Sequence, residues 1–136
     1  MSENNLKPLD SFEPAKISRA ALNTYENIID AWDIKQTEAM TLLGYEDSTR
    51  STYYKWKKEP ETVKLSKEKL ERLSYIFGIY KALQILLPNN DSADEWIKKS
   101  NTAPLFNGGS ALDRMLSGHV ADLYLVRRYL DAQRGE

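Results

Sequence analysis

The most informative stretch of this chain is residues 36–58, QTEAMTLLGYEDSTRSTYYKWKK. Residues 36–43 place their apolar side chains at helical spacing, and Gly44 follows where a helix can end with a positive φ. A second short helix is predicted from residue 50 to residue 58, and Pro60 stops it. Two short helices joined by a turn, the second polar and basic on its outer side, are typical of a DNA-binding helix-turn-helix.

The second helix carries the side chains that a DNA-reading helix needs. Such a helix needs hydroxyl groups or arginine for base edges, cations for phosphates and an apolar edge that holds it to its own domain. Tyr53 and Trp56, three residues apart, predict the apolar edge, and Arg50 is the candidate to read a guanine. A basic, solvated helix in any α-helical bundle is the alternative. The predicted DNA-binding residues are Ser48, Thr49, Arg50, Ser51, Thr52, Lys55, Lys57 and Lys58.

Charge is distributed unevenly along the 136 residues, whose net charge is −1. Residues 1–49 carry 4 basic and 9 acidic side chains, residues 50–72 carry 8 and 4, and residues 73–136 carry 7 and 7. A local basic patch on a nearly neutral protein can bind phosphates, because association follows the local field more than the total charge.

The remaining sequence shows helical periodicity and no strand-like alternation, which predicts an all-α fold. One amphipathic helix is predicted over residues 17–32 and a longer one over residues 67–87, with Ser66 as its N-cap and Pro88 as its stop. Because the longer helix is apolar on more than half of its circumference, we expect it to be buried on two sides as a spine between two halves of the molecule.

Three further helices are expected after this spine. Ser92 and Glu95 have the form of a capping box, Ser110 is a good N-cap, and a last helix is predicted over residues 119–133. The predicted organisation is a flexible arm (1–16), a helix-turn-helix domain (17–65), a connecting helix (66–88) and a small helical C-terminal domain (89–136).

Composition argues against several classes of function. The chain has no cysteine, and His119 is its single histidine, so neither a thiolate nor a two-histidine metal site can form. Its carboxylates and serines form no catalytic arrangement, so we expect neither an enzyme nor a bound cofactor. No apolar run is long enough to span a membrane, and residues 1–16 lack the order of a signal peptide, which predicts a cytoplasmic protein.

Two blocks of sequence, in this order, resemble a known family. The first comprises residues 27–32, 42–44 and 50–57, and the second comprises residues 74–83, 96–97, 104–108 and 126–135. They resemble the N-terminal helix-turn-helix domain and the C-terminal toxin-binding domain of the Xre/MbcA/ParS-like antitoxins. Two features differ from the family pattern: the turn after Gly44 is longer by about three residues, and Met40 stands where alanine is common.

The resemblance implies an antitoxin with two activities. Family members pair with RES-type toxins, which resemble ADP-ribosyltransferases and consume NAD; the antitoxin covers the toxin's active site, and the complex represses its own operon. A homodimer is expected on operator DNA, because one helix-turn-helix makes few contacts. A stand-alone helix-turn-helix regulator is the alternative, with the C-terminal residues serving dimerisation or an effector.

The toxin-facing surface is predicted to combine a loop and the last helix. Residues 104–106 beside Gly108 would form an apolar knob, and C-terminal arginines could enter a site that normally holds anionic NAD. The alternative for Arg127 is an ordinary surface pair with Asp131. The candidate toxin-binding residues are Pro104, Leu105, Phe106, Asn107, Gly108, Arg127, Arg128 and Arg134.

Overall fold

Seven α-helices make up most of residues 14–135, the part of the chain that the computed structural model describes. They are α1 (Pro14–Trp32), α2 (Gln36–Leu42), α3 (Arg50–Lys58), α4 (Lys67–Leu86), α5 (Asn90–Glu95), α6 (Ala111–Met115) and α7 (Val120–Gln133). Short 3₁₀ turns lie at Asp47–Thr49, Pro60–Thr62 and Trp96–Lys98. Within the described range, β pairing is limited to an isolated bridge between Ser100 and Ser110. The predicted all-α class is therefore confirmed.

The first helix begins three residues earlier than its apolar periodicity indicated. Residues 1–13 of the predicted flexible arm lie outside the described range, whereas residues 14–16 belong to α1. Pro14 is the first residue of the helix, a position where the fixed φ of proline fits and its missing N–H is not needed.

Helices α1, α2 and α3 share a core rich in aromatic residues. Tyr25 on α1 donates a hydrogen bond to the carbonyl oxygen of Ala39 on α2 at 2.5 Å, and its ring centroid lies 6.2 Å from that of Trp56 on α3. Both Tyr53 and Trp56 are buried, as their spacing predicted. These contacts fix α3 by one edge and leave its other side exposed.

The long helix α4 is the spine that the sequence predicted. Its buried side chains contribute to one continuous core, which includes α1 on one side and α7 on the other. Trp32 at the end of α1 meets Tyr80 of α4 with ring centroids 6.0 Å apart. On α7, Leu123, Val126 and Leu130 are almost fully buried.

Helix α5 begins two residues before the predicted cap. Asn89, not Ser92, caps it, because the Asn89 side chain accepts a hydrogen bond from the Ser92 amide at 3.1 Å. Asparagine is as good an N-cap as serine, and here it directly follows the proline that ends the preceding helix. The predicted capping residue of α6 is correct, since Ser110 and Asp113 exchange backbone-to-side-chain hydrogen bonds of 3.0 and 3.1 Å.

Arg72 connects the end of α2 and the segment before α7 to α4 through a buried guanidinium group. Its side chain projects from α4, donates to the carbonyl oxygens of Leu42 (3.4 Å) and Gly118 (2.8 Å), and pairs with Glu68. The residue is only 7% exposed. Gly44 packs directly against it: the φ of Gly44 is +78°, and a Cβ there would lie 2.7 Å from the Arg72 Cζ.

Replacing Arg72 by methionine should lower the free energy of unfolding by about 2 kcal/mol, because the carbonyls of Leu42 and Gly118 lose their charged donor. Urea denaturation followed by circular dichroism measures this value. Arg19→Met is the matched control, since it breaks an exposed ion pair with Glu61 and should cost less than about 1 kcal/mol. Equal losses in the two variants would contradict the role given to Arg72.

Alanine substitutions at two glycines separate backbone strain from contact with Arg72. Gly44 and Gly118 both have positive φ (+78° and +90°), but only a Cβ at Gly44 meets a neighbouring side chain. Gly118→Ala should therefore cost about 1–2 kcal/mol of unfolding free energy from strain alone, and Gly44→Ala should cost more. In an Arg72→Ala background the two costs should converge. Equal costs with Arg72 present would show that the close approach is unimportant.

Candidate functional site

Helix α3 presents a polar and cationic face to solvent. Ser51, Lys55 and Lys58 are exposed and lie four and three residues apart, so they share one side of the helix. Tyr54 lies on the same side and is 45% exposed, with its ring edge-on to Tyr53. The predicted site does not include Tyr54, although its position three residues after Ser51 places it on this face.

The eight residues predicted to contact DNA do not all lie on this exposed face. Ser48, Arg50 and Thr52 are also exposed, whereas Lys57 turns toward α2. The Lys57 Nζ lies 2.5 Å from the side-chain oxygen of Gln36, the first residue of α2. Gln36 is therefore a polar neighbour of α3 that the predicted site does not include.

The lengthened turn before α3 is held by its own contacts. The Thr49 hydroxyl accepts a hydrogen bond from the Glu46 amide (2.9 Å) and donates to the Glu46 carbonyl (3.2 Å), so this predicted DNA-binding side chain already stabilises the turn. Tyr45 is buried with its ring centroid 5.5 Å from that of Tyr53. Burial raises the pKa of both phenols above their ordinary value, so both are neutral at physiological pH.

Arg50 is paired at the entrance of the helix. Its Nη2 donates a hydrogen bond to Asp47 Oδ1 at 2.6 Å. This hydrogen bond, together with the carboxylate charge, raises the pKa of the Arg50 guanidinium above its ordinary value. The pair places one cation and one anion side by side in solvent at the N-terminal end of α3.

The predicted toxin-facing loop is constrained by hydrogen bonds. The backbone N–H of Asn101 donates a hydrogen bond to the carbonyl oxygen of Gly109 (2.9 Å), and the backbone carbonyl of Asn101 accepts one from the Gly108 N–H (3.2 Å). These two bonds close the loop at its base. Asn107 and Gly108 have positive φ, and both are exposed. Pro104 is also exposed, whereas Leu105 is half-buried.

Phe106 is not part of an exposed knob, contrary to the sequence-based expectation. It is 5% exposed and packs edge-on against Tyr129 (5.1 Å between ring centroids) and Trp96 (5.9 Å). Two aromatic neighbours offer this ring a large apolar surface, which outweighs its position in a loop. The exposed residues of the loop are therefore Thr102, Pro104, Asn107 and Gly108.

The three C-terminal arginines have different environments. Arg127 is half-buried, pairs with Asp131 at 3.1 Å and lies directly over Gly78, where a Cβ would displace it. Arg134 has an ionic contact with the same carboxylate at 3.9 Å. Arg128 is exposed, and its Nη1 donates to the Tyr124 hydroxyl at 3.0 Å. The surface pair anticipated between Arg127 and Asp131 is present within α7. The close approach of the Arg127 guanidinium to Gly78 is the contact that joins α7 to α4.

Residues 14–135 contain no cluster of three or more potential metal-binding side chains. None of the helices in this range has an apolar stretch of the length that a membrane span needs.

Comparison with known proteins identifies both halves of the chain. Residues 14–78 match the antitoxin Xre-like helix-turn-helix domain, and residues 82–135 match the antitoxin Xre/MbcA/ParS C-terminal toxin-binding domain. Uncharacterized protein y4oB of Sinorhizobium fredii (strain NBRC 101917 / NGR234) is 47% identical over 116 residues, which cover 85% of each chain. These matches confirm the resemblance drawn from the sequence. The chain belongs to the Xre/MbcA/ParS family of antitoxins.

Proposed function

We propose that this chain is the antitoxin of a type II pair that neutralises a RES-type, NAD-consuming toxin by covering its active site, and that it represses its own operon. The proposal rests on one observation: a helix-turn-helix domain with an exposed cationic helix and a toxin-binding domain occur in order on one chain. The toxin type and its use of NAD follow from the family resemblance. We expect toxin neutralisation and repression to take place in the cytoplasm.

The exposed face of α3 supports the DNA-binding part of the proposal. Arg50 offers guanidinium donors for a guanine, and Lys55 and Lys58 offer charges for phosphates. A homodimer would present two such helices to two half-sites. Most of the apolar surface of α4 is used inside the molecule; its exposed large apolar residues, Leu70 and Ile85, lie far apart along the helix. The proposed dimer is therefore inferred from the two half-sites of an operator, and not from a continuous apolar face on α4.

The candidate toxin-binding residues differ in their exposure to solvent. Arg128, Pro104, Asn107 and Gly108 are free to meet a partner without rearrangement of the core. A guanidinium group is suited to a pocket that binds phosphate groups of a nucleotide, because it can donate parallel hydrogen bonds to their oxygens. We therefore place Arg128 at the centre of the proposed toxin interface.

Co-expression with the adjacent open reading frame tests the whole proposal. Induction of that partner alone should stop growth and lower cellular NAD, and expression of this chain should restore both. An adjacent product that is harmless, or whose toxicity this chain does not relieve, would contradict the antitoxin function and leave a stand-alone regulator.

Combining Arg50→Ala with Lys55→Ala should weaken binding to the DNA upstream of the gene on the order of 100-fold, because a base contact and a phosphate contact are lost together. Electrophoretic mobility shift measures the affinity. Lys81→Ala with Lys99→Ala removes two exposed cations outside α3 and should leave binding nearly unchanged. Rescue from the toxin should survive in Arg50→Ala with Lys55→Ala; equal loss of DNA binding in the two double variants would contradict the assignment of α3.

Arg128→Glu should abolish rescue from the toxin and leave DNA binding intact, because it places a negative charge where an anion-binding pocket is expected. Lys81→Glu is the control: it makes the same charge change at an exposed site outside the toxin-binding domain. Deleting α7 is unsuitable, since Leu123, Val126 and Leu130 are part of the core. Full rescue by Arg128→Glu would exclude this residue from the interface.

A further inference from the structure

The turn between α2 and α3 gives one acidic side chain a fixed place. Tyr45 anchors the start of the turn against Tyr53, and Thr49 anchors its end through two hydrogen bonds to the backbone of Glu46. Asp47 is the first residue of the 3₁₀ turn between these anchors. The additional residues of this turn thus form a defined structure, which places the Asp47 carboxylate at the beginning of α3.

The Asp47 carboxylate forms an ion pair with Arg50, although both side chains are exposed to solvent. Asp47 Oδ1 and Arg50 Nη2 are 2.6 Å apart, and the two side chains are 87% and 54% exposed. Ion pairs as exposed as this one contribute little to folding stability. The contact therefore matters less for folding stability than for what the Arg50 guanidinium group can bind.

We propose that Asp47 is a specificity-determining residue: it holds the Arg50 guanidinium in position to bind guanine in the major groove. This inference rests on the proposed DNA-binding function. A guanidinium group has five N–H donors in a planar fork, and the bond to Asp47 uses one of them. Two parallel donors remain for O6 and N7 of a guanine. The second carboxylate oxygen can accept a hydrogen bond from the amino group of a neighbouring cytosine or adenine.

A carboxylate at this place fits base reading better than phosphate anchoring. A cation that only anchors phosphates binds more tightly without an adjacent negative charge, which repels the DNA backbone. Among the described residues, Lys55 and Lys58 on the same helix make no ion pair, as expected for phosphate contacts. The paired cation of α3 is thus Arg50, the one whose planar group can also recognise a base edge.

The probe is a DNA duplex that the full-length wild-type protein selects from a random-sequence pool. Affinities are then measured for the selected duplex and for duplexes in which each guanine is replaced in turn. Asp47→Ala should reduce the discrimination at one guanine by about 10-fold. Glu59→Ala is the matched control, because it removes an exposed carboxylate at the other end of α3. It should raise affinity for all duplexes together and leave discrimination unchanged.

An Arg50→Ala background distinguishes a role in recognition from a general structural role. In that background, Asp47→Ala should cause no further loss of discrimination at the same guanine, while circular dichroism should show all variants folded. Unchanged discrimination in Asp47→Ala, or the same loss with and without Arg50, would overturn the inference. A wild-type protein that enriches no sequence would instead overturn the proposed DNA-binding function, and this inference with it.

Discussion

The buried guanidinium group of Arg72 is the interaction on which the arrangement of the two domains depends. A charged group removed from water is tolerated only when its donors find acceptors. Here the acceptors come from three places: Glu68 on the same helix, the carbonyl of Leu42 at the end of α2, and the carbonyl of Gly118 before α7. Since all three acceptors are bound by one guanidinium group, α2 and α7 are held relative to α4, and so is the start of the turn that leads from α2 into α3.

Glycine provides the space for arginine twice along this structure. Gly44 lies against Arg72, and Gly78 lies under Arg127, where a larger residue would push the guanidinium group away. The second contact falls in the middle of α4, next to the point where the match to the helix-turn-helix domain ends and before the toxin-binding match begins at residue 82. The two domains therefore meet inside one helix, and α4 contributes side chains to a single core that both of them share.

Local periodicity was enough to predict the helices and most of the core, because burial of one helix face leaves a pattern in consecutive residues. Tyr53 and Trp56 were placed correctly for this reason. Long-range contacts leave no such pattern. The sequence groups Arg72 with the basic segment and predicts an exposed loop position for Phe106, but both residues are buried. In both cases the deciding partners are distant in sequence, such as Gly118 for Arg72 and Tyr129 for Phe106.

The same contacts reduce the positive charge that is available to DNA. Of the basic segment, Arg72 is buried, Lys57 is bound to Gln36, and the Lys69 Nζ lies 4.4 Å from the Tyr45 ring centroid. The cations that remain exposed on α3 are three, and Arg50 among them is partly neutralised by Asp47. Because affinity for DNA rises with the number of phosphates contacted, one copy with so few free charges would bind weakly at physiological salt. The proposed repression is therefore consistent with the proposed homodimer, in which the linked binding of two helix-turn-helix units to one operator would multiply the affinity of each.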